Sequence, residues 1–203
     1  MACTHADFIP CSLAGLFSIT NTQHASCLLL YPQLSPQPGT AMTTRPIIFL
    51  DIDGVLNRTK QATHIRLDSS LMEIFRELVD RTDALIVLST FWRHFVEYIS
   101  YILERHGIAA EKVIGATPGC NRSMAGRTPS DEREYTCRAE EIKAWLRSHP
   151  QYENFVILDD RPSAADSSLQ ERFILCQTDR GLTQENVEQA IRILSSQQRL
   201  ECR

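Results

Sequence analysis

Ile47-Ile-Phe-Leu-Asp-Ile-Asp-Gly-Val-Leu-Asn57 is the stretch that decides the fold. Four apolar residues run unbroken into Asp51, and a second aspartate, Asp53, and a glycine follow. An apolar run of this kind, closed by a turn signal, predicts a strand covered on both faces. Such strands belong to parallel sheets, and open α/β sheets place their ligands at the C-terminal edges of the strands. Asp51 and Asp53 are therefore expected at such an edge and on one face, because residues i and i+2 of a strand point the same way. Two carboxylates held that close need a counter-charge or a shared proton. Mg²⁺ is the usual counter-charge, a hard cation that prefers oxygen and often brings phosphate with it.

Outward from this stretch the pattern alternates strand and helix. Residues 68–80 read as a helix, with Leu71, Ile74, Phe75, Leu78 and Val79 at helical spacing and Ser70 with Glu73 as a capping box. Leu85 to Leu88 is a second apolar strand. A helix is expected from Trp92 to His106, turning Phe95, Ile99, Ile102 and Leu103 inward and stopping at Gly107. Residues 113–115 form a short strand, and 116–136 read as a long loop. A helix over 138–147 buries Ile142, Trp145 and Leu146, strands follow at 155–158 and 173–176, and a last helix after Thr183 buries Val187, Ile191 and Leu194. Trp92 and Trp145 read as core aromatics. The sum is an α/β domain: a mainly parallel, five-stranded sheet with helices on both faces.

Residues 1–44 differ from the rest, with no Lys or Arg, one acid (Asp7) and many Ser, Thr, Gln and Pro. They predict a disordered lead-in that carries neither a secretory nor a mitochondrial signal, ahead of one domain over 45–203. Met42 stands just before the first strand. The chain of 203 residues carries a net charge of −4, which gives no general attraction to nucleic acid or anionic membrane. No apolar run approaches the ~20 residues of a membrane span. The seven cysteines are odd in number and include no C-x-x-C, so a reducing, intracellular (cytoplasmic) setting is the simplest reading.

Three predicted strands end in polar residues: Asp51-x-Asp53, Ser89-Thr90 and Asp159-Asp160. In a parallel sheet these ends converge. With these pieces in place the chain resembles the haloacid dehalogenase-like (HAD) hydrolases, whose Rossmann-like core carries four short motifs. Asp51-Ile-Asp-Gly-Val55 resembles the first, Ser89 the second, Arg138 the third and Asp159-Asp160 the fourth. Leu88-Ser-Thr-Phe-Trp-Arg93, Arg138-Ala-Glu-Glu-Ile-Lys-Ala-Trp-Leu146, Ile157-Leu-Asp-Asp160 and Gln177-Thr-Asp179 with Gly181-Leu-Thr183 look more narrowly like the small HAD domains of Swiss Army Knife RNA repair proteins.

The resemblance implies a Mg²⁺-dependent phosphatase. Asp51 would attack phosphorus and form an aspartyl-phosphate, and Asp53 would protonate the leaving oxygen and later activate water. Ser89 and Arg138 would bind the phosphoryl oxygens, with Arg138 also keeping Asp51 ionised. Asp160, with Asp159 beside it and with Asp51 and Asp53, would hold Mg²⁺. A carboxylate and a phosphate dianion repel by about 4 kcal/mol per charge pair at 4 Å and a dielectric of 20, so the cation has work to do.

Each residue also has an ordinary reading. Asp-x-Asp-Gly occurs in turns, Ser89-Thr90 would serve to cap a helix, and Arg138 would serve as a surface arginine. Lys143 is the alternative cation, Asp166 a candidate supporting acid, and Cys120 and Cys137 candidate thiols. The family's insertion points hold only a flap at 58–67 and, at the second, the Trp92 helix, a short strand and the 116–136 loop, which predicts no full cap domain and an open site. Arg58, Lys60, Arg66, Arg93, Arg122, Arg127 and Arg133 lie in or near these segments, where they would grip an anionic backbone. The phosphorylated substrate stays open between a nucleic-acid end or nucleotide, a phosphoprotein and a small phosphoester. A non-catalytic phospholigand-binding module and an aspartyl-phosphate phosphotransferase are the alternative functions. Oligomeric state is not legible.

Overall fold

The apolar runs pair as five parallel strands: β1 (Ile47–Leu50), β2 (Leu85–Leu88), β3 (Val113–Ala116), β4 (Phe155–Asp159) and β5 (Phe173–Leu175). Their order across the sheet is β3-β2-β1-β4-β5. The helices are α1 (Ser69–Thr82), α2 (Val96–Arg105), α3 (Arg138–Ser148) and α4 (Gln184–Glu201). The computed structural model describes residues 45–59, 63–119 and 137–201. The expected lead-in over 1–44 and most of the expected 116–136 loop lie outside the described residues. No helix among them is long and apolar enough to cross a membrane.

From β1 the chain steps outward through β2 and β3, then returns to build β4 and β5 on the other side. The winding direction thus reverses between β1 and β4, and a crevice opens at that point, where ligands bind in sheets of this type.

The two faces of the sheet are covered unequally. Ile48, Leu50, Ile86, Leu88, Val156 and Leu158 pack against α1, α2 and α4 through Phe75, Leu78, Ile99, Leu103, Val187 and Leu194. On the opposite face, Ile47, Phe49, Val87, Phe155 and Ile157 meet Ala139, Ile142 and Trp145 of α3. Phe49 lies at the centre of this second layer, fully buried, with Trp145 and Phe155 edge-on at 5.4 and 5.5 Å. Edge-to-face geometry suits the charge distribution of aromatic rings and adds to the gain from burial.

The strand register carries this layer into the polar residues. Phe49 is paired with Val87 on one side and Ile157 on the other. Two residues further along each strand, Asp51, Ser89 and Asp159 continue the same row on the same face. This row meets the first turn of α3.

Several expectations shift. The helix expected from Trp92 begins at Val96, after a 3₁₀ turn over Arg93–Phe95. The Thr90 carbonyl accepts from both the Arg93 N–H at 3.3 Å and Arg93 Nε at 2.9 Å, which pins this turn. Phe95 consequently faces outward, and Trp92 is half-buried before the helix rather than within it. The capping box at Ser70 does not form, because α1 starts at Ser69 with Asp68 as its N-cap. The Asp68 carboxylate instead takes Arg58 at 2.8 Å and Arg66 at 3.5 Å. A reciprocal cap does form on α4, where the Thr183 hydroxyl accepts the Asn186 N–H at 3.3 Å and Asn186 Oδ1 accepts the Thr183 N–H at 3.1 Å. β1 ends at Leu50, so strand alternation does not carry through to Asp53.

Replacing Phe49 with alanine empties the centre of the α3 layer. Equilibrium urea unfolding is expected to show a loss of about 3–5 kcal/mol, the usual cost of truncating a buried phenylalanine.

Candidate active site

The Asp51–Ser89–Asp159 row is closed from above by Arg138, the first residue of α3. Its Nη1 lies 3.0 Å from Asp51 Oδ2 and donates to Asp159 Oδ2 at 2.9 Å, and it also donates to the Ser89 carbonyl. The other Asp51 oxygen, Oδ1, accepts the Ile52 N–H at 2.8 Å. Thr90 hydrogen-bonds the same carboxylate. Asp159 Oδ1 accepts the Arg161 N–H at 2.8 Å. Ser89 is buried beside them, and its Oγ has no hydrogen-bond partner among the described residues. A buried hydroxyl left in that state costs free energy unless something arrives to satisfy it.

Asp160 enters from the next position. Its Oδ2 accepts the Thr178 hydroxyl at 2.8 Å. Gly54 makes room for it: its φ is +76°, and a Cβ there would overlap the Asp160 carboxylate. Only glycine combines that backbone with that closeness. The turn after β5 supports the same loop, with the Leu182 N–H donating to the Val55 carbonyl at 2.9 Å. Gly181, at φ +70°, lets this turn pass Leu71 and the Val55 carbonyl.

Asp53 points to a different neighbourhood. Its Oδ1 accepts Asn57 Nδ2 at 2.8 Å and its Oδ2 accepts Trp92 Nε1 at 3.1 Å. Asn57 is fully engaged: its amide also donates to the Arg66 carbonyl at 3.0 Å, and its Oδ1 accepts the N–H groups of Gly54 at 3.2 Å and Thr59 at 3.0 Å. One buried side chain thus ties the aspartate loop to the flap.

Asp51, Asp159 and Asp160 each bring a carboxylate oxygen to within 4.8 Å of the other two. Burial pushes the Asp51 carboxyl upward, against the opposing pull of Arg138. Burial, with the Asp51 charge beside it, pushes Asp159 up to about 7. Arg138 itself remains a cation: burial favours losing the proton, but Asp51 and Asp159 reverse that and hold its pKa above the ordinary value. The exposed Arg161 side chain reaches Asp160 only at 3.8 Å. Among the described residues, one buried guanidinium and one more distant, exposed one face three carboxyl groups, fewer cations than acids. Hard oxygen donors with that deficit fit a divalent cation.

A family model described as the HAD domain in Swiss Army Knife RNA repair proteins matches residues 47–187. The chain belongs to this family. No curated protein and no solved structure matches it. Membership places the chain with phosphatase-type hydrolases in general, and its five-stranded parallel sheet is the Rossmann-like HAD core.

Among the residues expected from sequence, the HAD domain brings together Asp51, Ser89, Arg138, Asp159 and Asp160. Asp53 lies on the same loop, but its carboxylate is outside the three-carboxylate group. Lys143 and Asp166 pair with each other on the surface, where Lys143 and Ser168 hold the Asp166 carboxyl at about 2, so neither joins the site. Arg93 is a strut rather than an anion grip: it pairs with Glu141 at 2.6 Å and donates to the Pro118 carbonyl at 3.1 Å. Arg58 and Arg66 share Asp68, while Lys60, Arg122, Arg127, Arg133 and Cys120 lie outside the described residues. Cys137 is the half-buried N-cap residue of α3. Cys176 sits behind the acids, and burial followed by the charges of Asp159, Asp160 and Asp51 pushes its thiol up to about 12. Asn57, Thr90, Trp92 and Thr178 are the contributors that sequence reasoning missed as site residues.

The folded Asp159 carboxyl keeps its proton to higher pH than the unfolded one (about 7 against 3.8), so the metal-free domain loses stability as pH climbs between those values and levels off above. Thermal melting across that range is expected to show the decline, and added Mg²⁺ to flatten it. Gly54→Ala is expected to lower the melting temperature and remove the Mg²⁺-dependent gain, since the new methyl displaces Asp160.

Proposed function

We propose that this HAD domain hydrolyses phosphate monoesters with Mg²⁺ held by Asp51, Asp159 and Asp160, and that the phosphoryl group passes through Asp51. The single observation that carries this reading is the buried Ser89 hydroxyl, lacking a hydrogen-bond partner beside Asp51. A phosphoryl oxygen supplies the missing acceptor.

Asp51 is held for attack, with one oxygen on the Ile52 N–H and the other against Arg138. A bond forms from its carboxylate to phosphorus while the ester oxygen leaves with a proton from Asp53. Asp53 then takes a proton from water, whose oxygen attacks the acyl phosphate and restores Asp51. Trp92 and Asn57 hold the Asp53 carboxylate from either side during both transfers. Arg138 and Ser89 bind the phosphoryl oxygens. Mg²⁺ supplies the charge that lets carboxylate and phosphate dianion approach. Asp53 in this role works as acid and base, and its carboxylate is not needed among the metal ligands.

The family's RNA repair association and the short flap support a phosphate on a nucleotide or polynucleotide end as the substrate. A screen of phosphorylated oligonucleotides, nucleotides and sugars in Mg²⁺ tests the reading. Release of inorganic phosphate that Asp51→Asn abolishes is the expected result; release that survives Asp51→Asn overturns it. Tight binding without turnover would instead identify a phospholigand-binding module, and transfer to an acceptor other than water a phosphotransferase.

Ser89→Ala separates activity from stability. Loss of one preorganised donor is expected to slow turnover on the order of 100-fold. Removal of an unsatisfied buried hydroxyl is expected to leave thermal stability equal or raised by about 1 kcal/mol, as read by calorimetry.

A further inference from the structure

Among the described residues, the large apolar side chains most open to solvent are Phe91, Phe95, Tyr98 and Tyr101, with Ile114 and Leu175 on the two edge strands. Edge strands explain the last two. The first four fall in one short segment that begins immediately after Ser89-Thr90.

Trp92 joins this segment to the chemistry. Its indole N–H is bonded to Asp53 at 3.1 Å. Its ring also meets Phe91 edge-on at 5.6 Å and lies tilted to Phe95 at 6.3 Å. Three aromatic rings therefore form a contiguous ledge running from Asp53 to the protein surface. Phe91 and Phe95 are 41% and 37% exposed, so the ledge presents contiguous aromatic surface to solvent, the kind of patch that marks an interaction site.

The leaving oxygen of a phosphomonoester has to sit at Asp53, the residue that protonates it. Whatever the ester oxygen carries must then leave the site past groups that flank Asp53, and two of these are described. On one side stands Trp92 with the aromatic ledge; on the other stands Asn57, bonded to the Arg66 carbonyl. Arg66 and Arg58 share the single carboxylate of Asp68, and both side chains are exposed, so this side carries net positive charge. A leaving group that meets flat apolar rings on one side and cations on the other has the chemistry of a nucleic-acid strand, with bases to stack and phosphates to neutralise.

Resting on the phosphatase reading, we infer that Phe91, Trp92 and Phe95 form a base-stacking subsite for the nucleotide next to the scissile phosphate of a single-stranded nucleic-acid end. The subsite is sequence-tolerant, because every base has a π-face.

The test uses the full chain in Mg²⁺ with tetraribonucleotides phosphorylated at either end, the same tetramers lacking the base next to the phosphate, and glycerol phosphate. The wild-type chain is expected to favour the complete tetramer over its abasic form by on the order of ten-fold in kcat/KM, the usual worth of one stacked base. The Phe91→Ala/Phe95→Ala variant is expected to shrink the ratio of tetramer to glycerol phosphate by a similar factor. Equal kcat/KM on complete and abasic tetramers overturns the ledge while leaving the phosphatase reading standing; because this arm needs only the wild-type chain, it does not depend on the variant folding. If no phosphomonoester turns over, the phosphatase reading fails and the ledge is judged by Trp92 fluorescence. Quenching by the complete tetramer and not by the abasic one supports it, and equal or absent quenching overturns it.

Discussion

The guanidinium of Arg138 is the interaction on which the rest of this structure depends. It spans two strand ends and touches a third, bonding Asp51, Asp159 and the Ser89 carbonyl from the first turn of α3, the helix that covers this face of the sheet. Burying that cation is unfavourable by itself, and the two carboxylates reverse the balance. Burying those carboxylates is equally unfavourable without it. Each partner removes the penalty of the others, so the group is stable only as a set. Because α3 supplies Trp145 and Ile142 to the core beneath, the polar set and the apolar layer fix the same helix from two ends.

Around this set the fold concentrates features that stability alone would not favour. Three carboxylates converge, two of them on one buried guanidinium, a serine hydroxyl is buried without a partner among the described residues, and a glycine occupies left-handed backbone so that a carboxylate fits against it. Such features belong together at sites shaped for a ligand, where the missing charge and the missing hydrogen bond arrive with it. Asn57 holds the loop beside this set in place. Both its amide hydrogens and its oxygen are used within the loop and flap, giving a turn-rich segment the rigidity that strands confer elsewhere.

Much of this was legible in the sequence because it rests on strong local signals. The runs Ile47–Leu50, Leu85–Leu88 and Phe155–Leu158 are apolar on both faces, and that pattern alone identifies central parallel strands. Asp51, Ser89 and Asp159 are located by where those runs end. What could not be read depends on side chains meeting across the chain. Trp92 has the spacing of a core residue, and nothing local reveals that Thr90 would hold a turn open and aim the indole at Asp53. Ser70 and Glu73 have the spacing of a capping box, yet the N-cap falls two residues earlier, at Asp68, and Arg58 and Arg66 draw the Asp68 carboxylate away. Asn57 was visible as part of a motif but not as a hub, because its bond to the Arg66 carbonyl, nine residues away, is set only by the fold.

The turn after β5 also bears on the order of assembly. A protein chain is made from its N-terminus, and its segments fold as they are released. The loop bearing Asp51 and Asp53 is among the first parts of the domain to be made. Arg138, Asp160, Thr178 and the Leu182 N–H that supports Val55 all come much later. During most of synthesis, then, Asp51 exists without the guanidinium that neutralises it, and the loop without the turn that supports it. The assembled site belongs to the finished domain and to none of its N-terminal fragments.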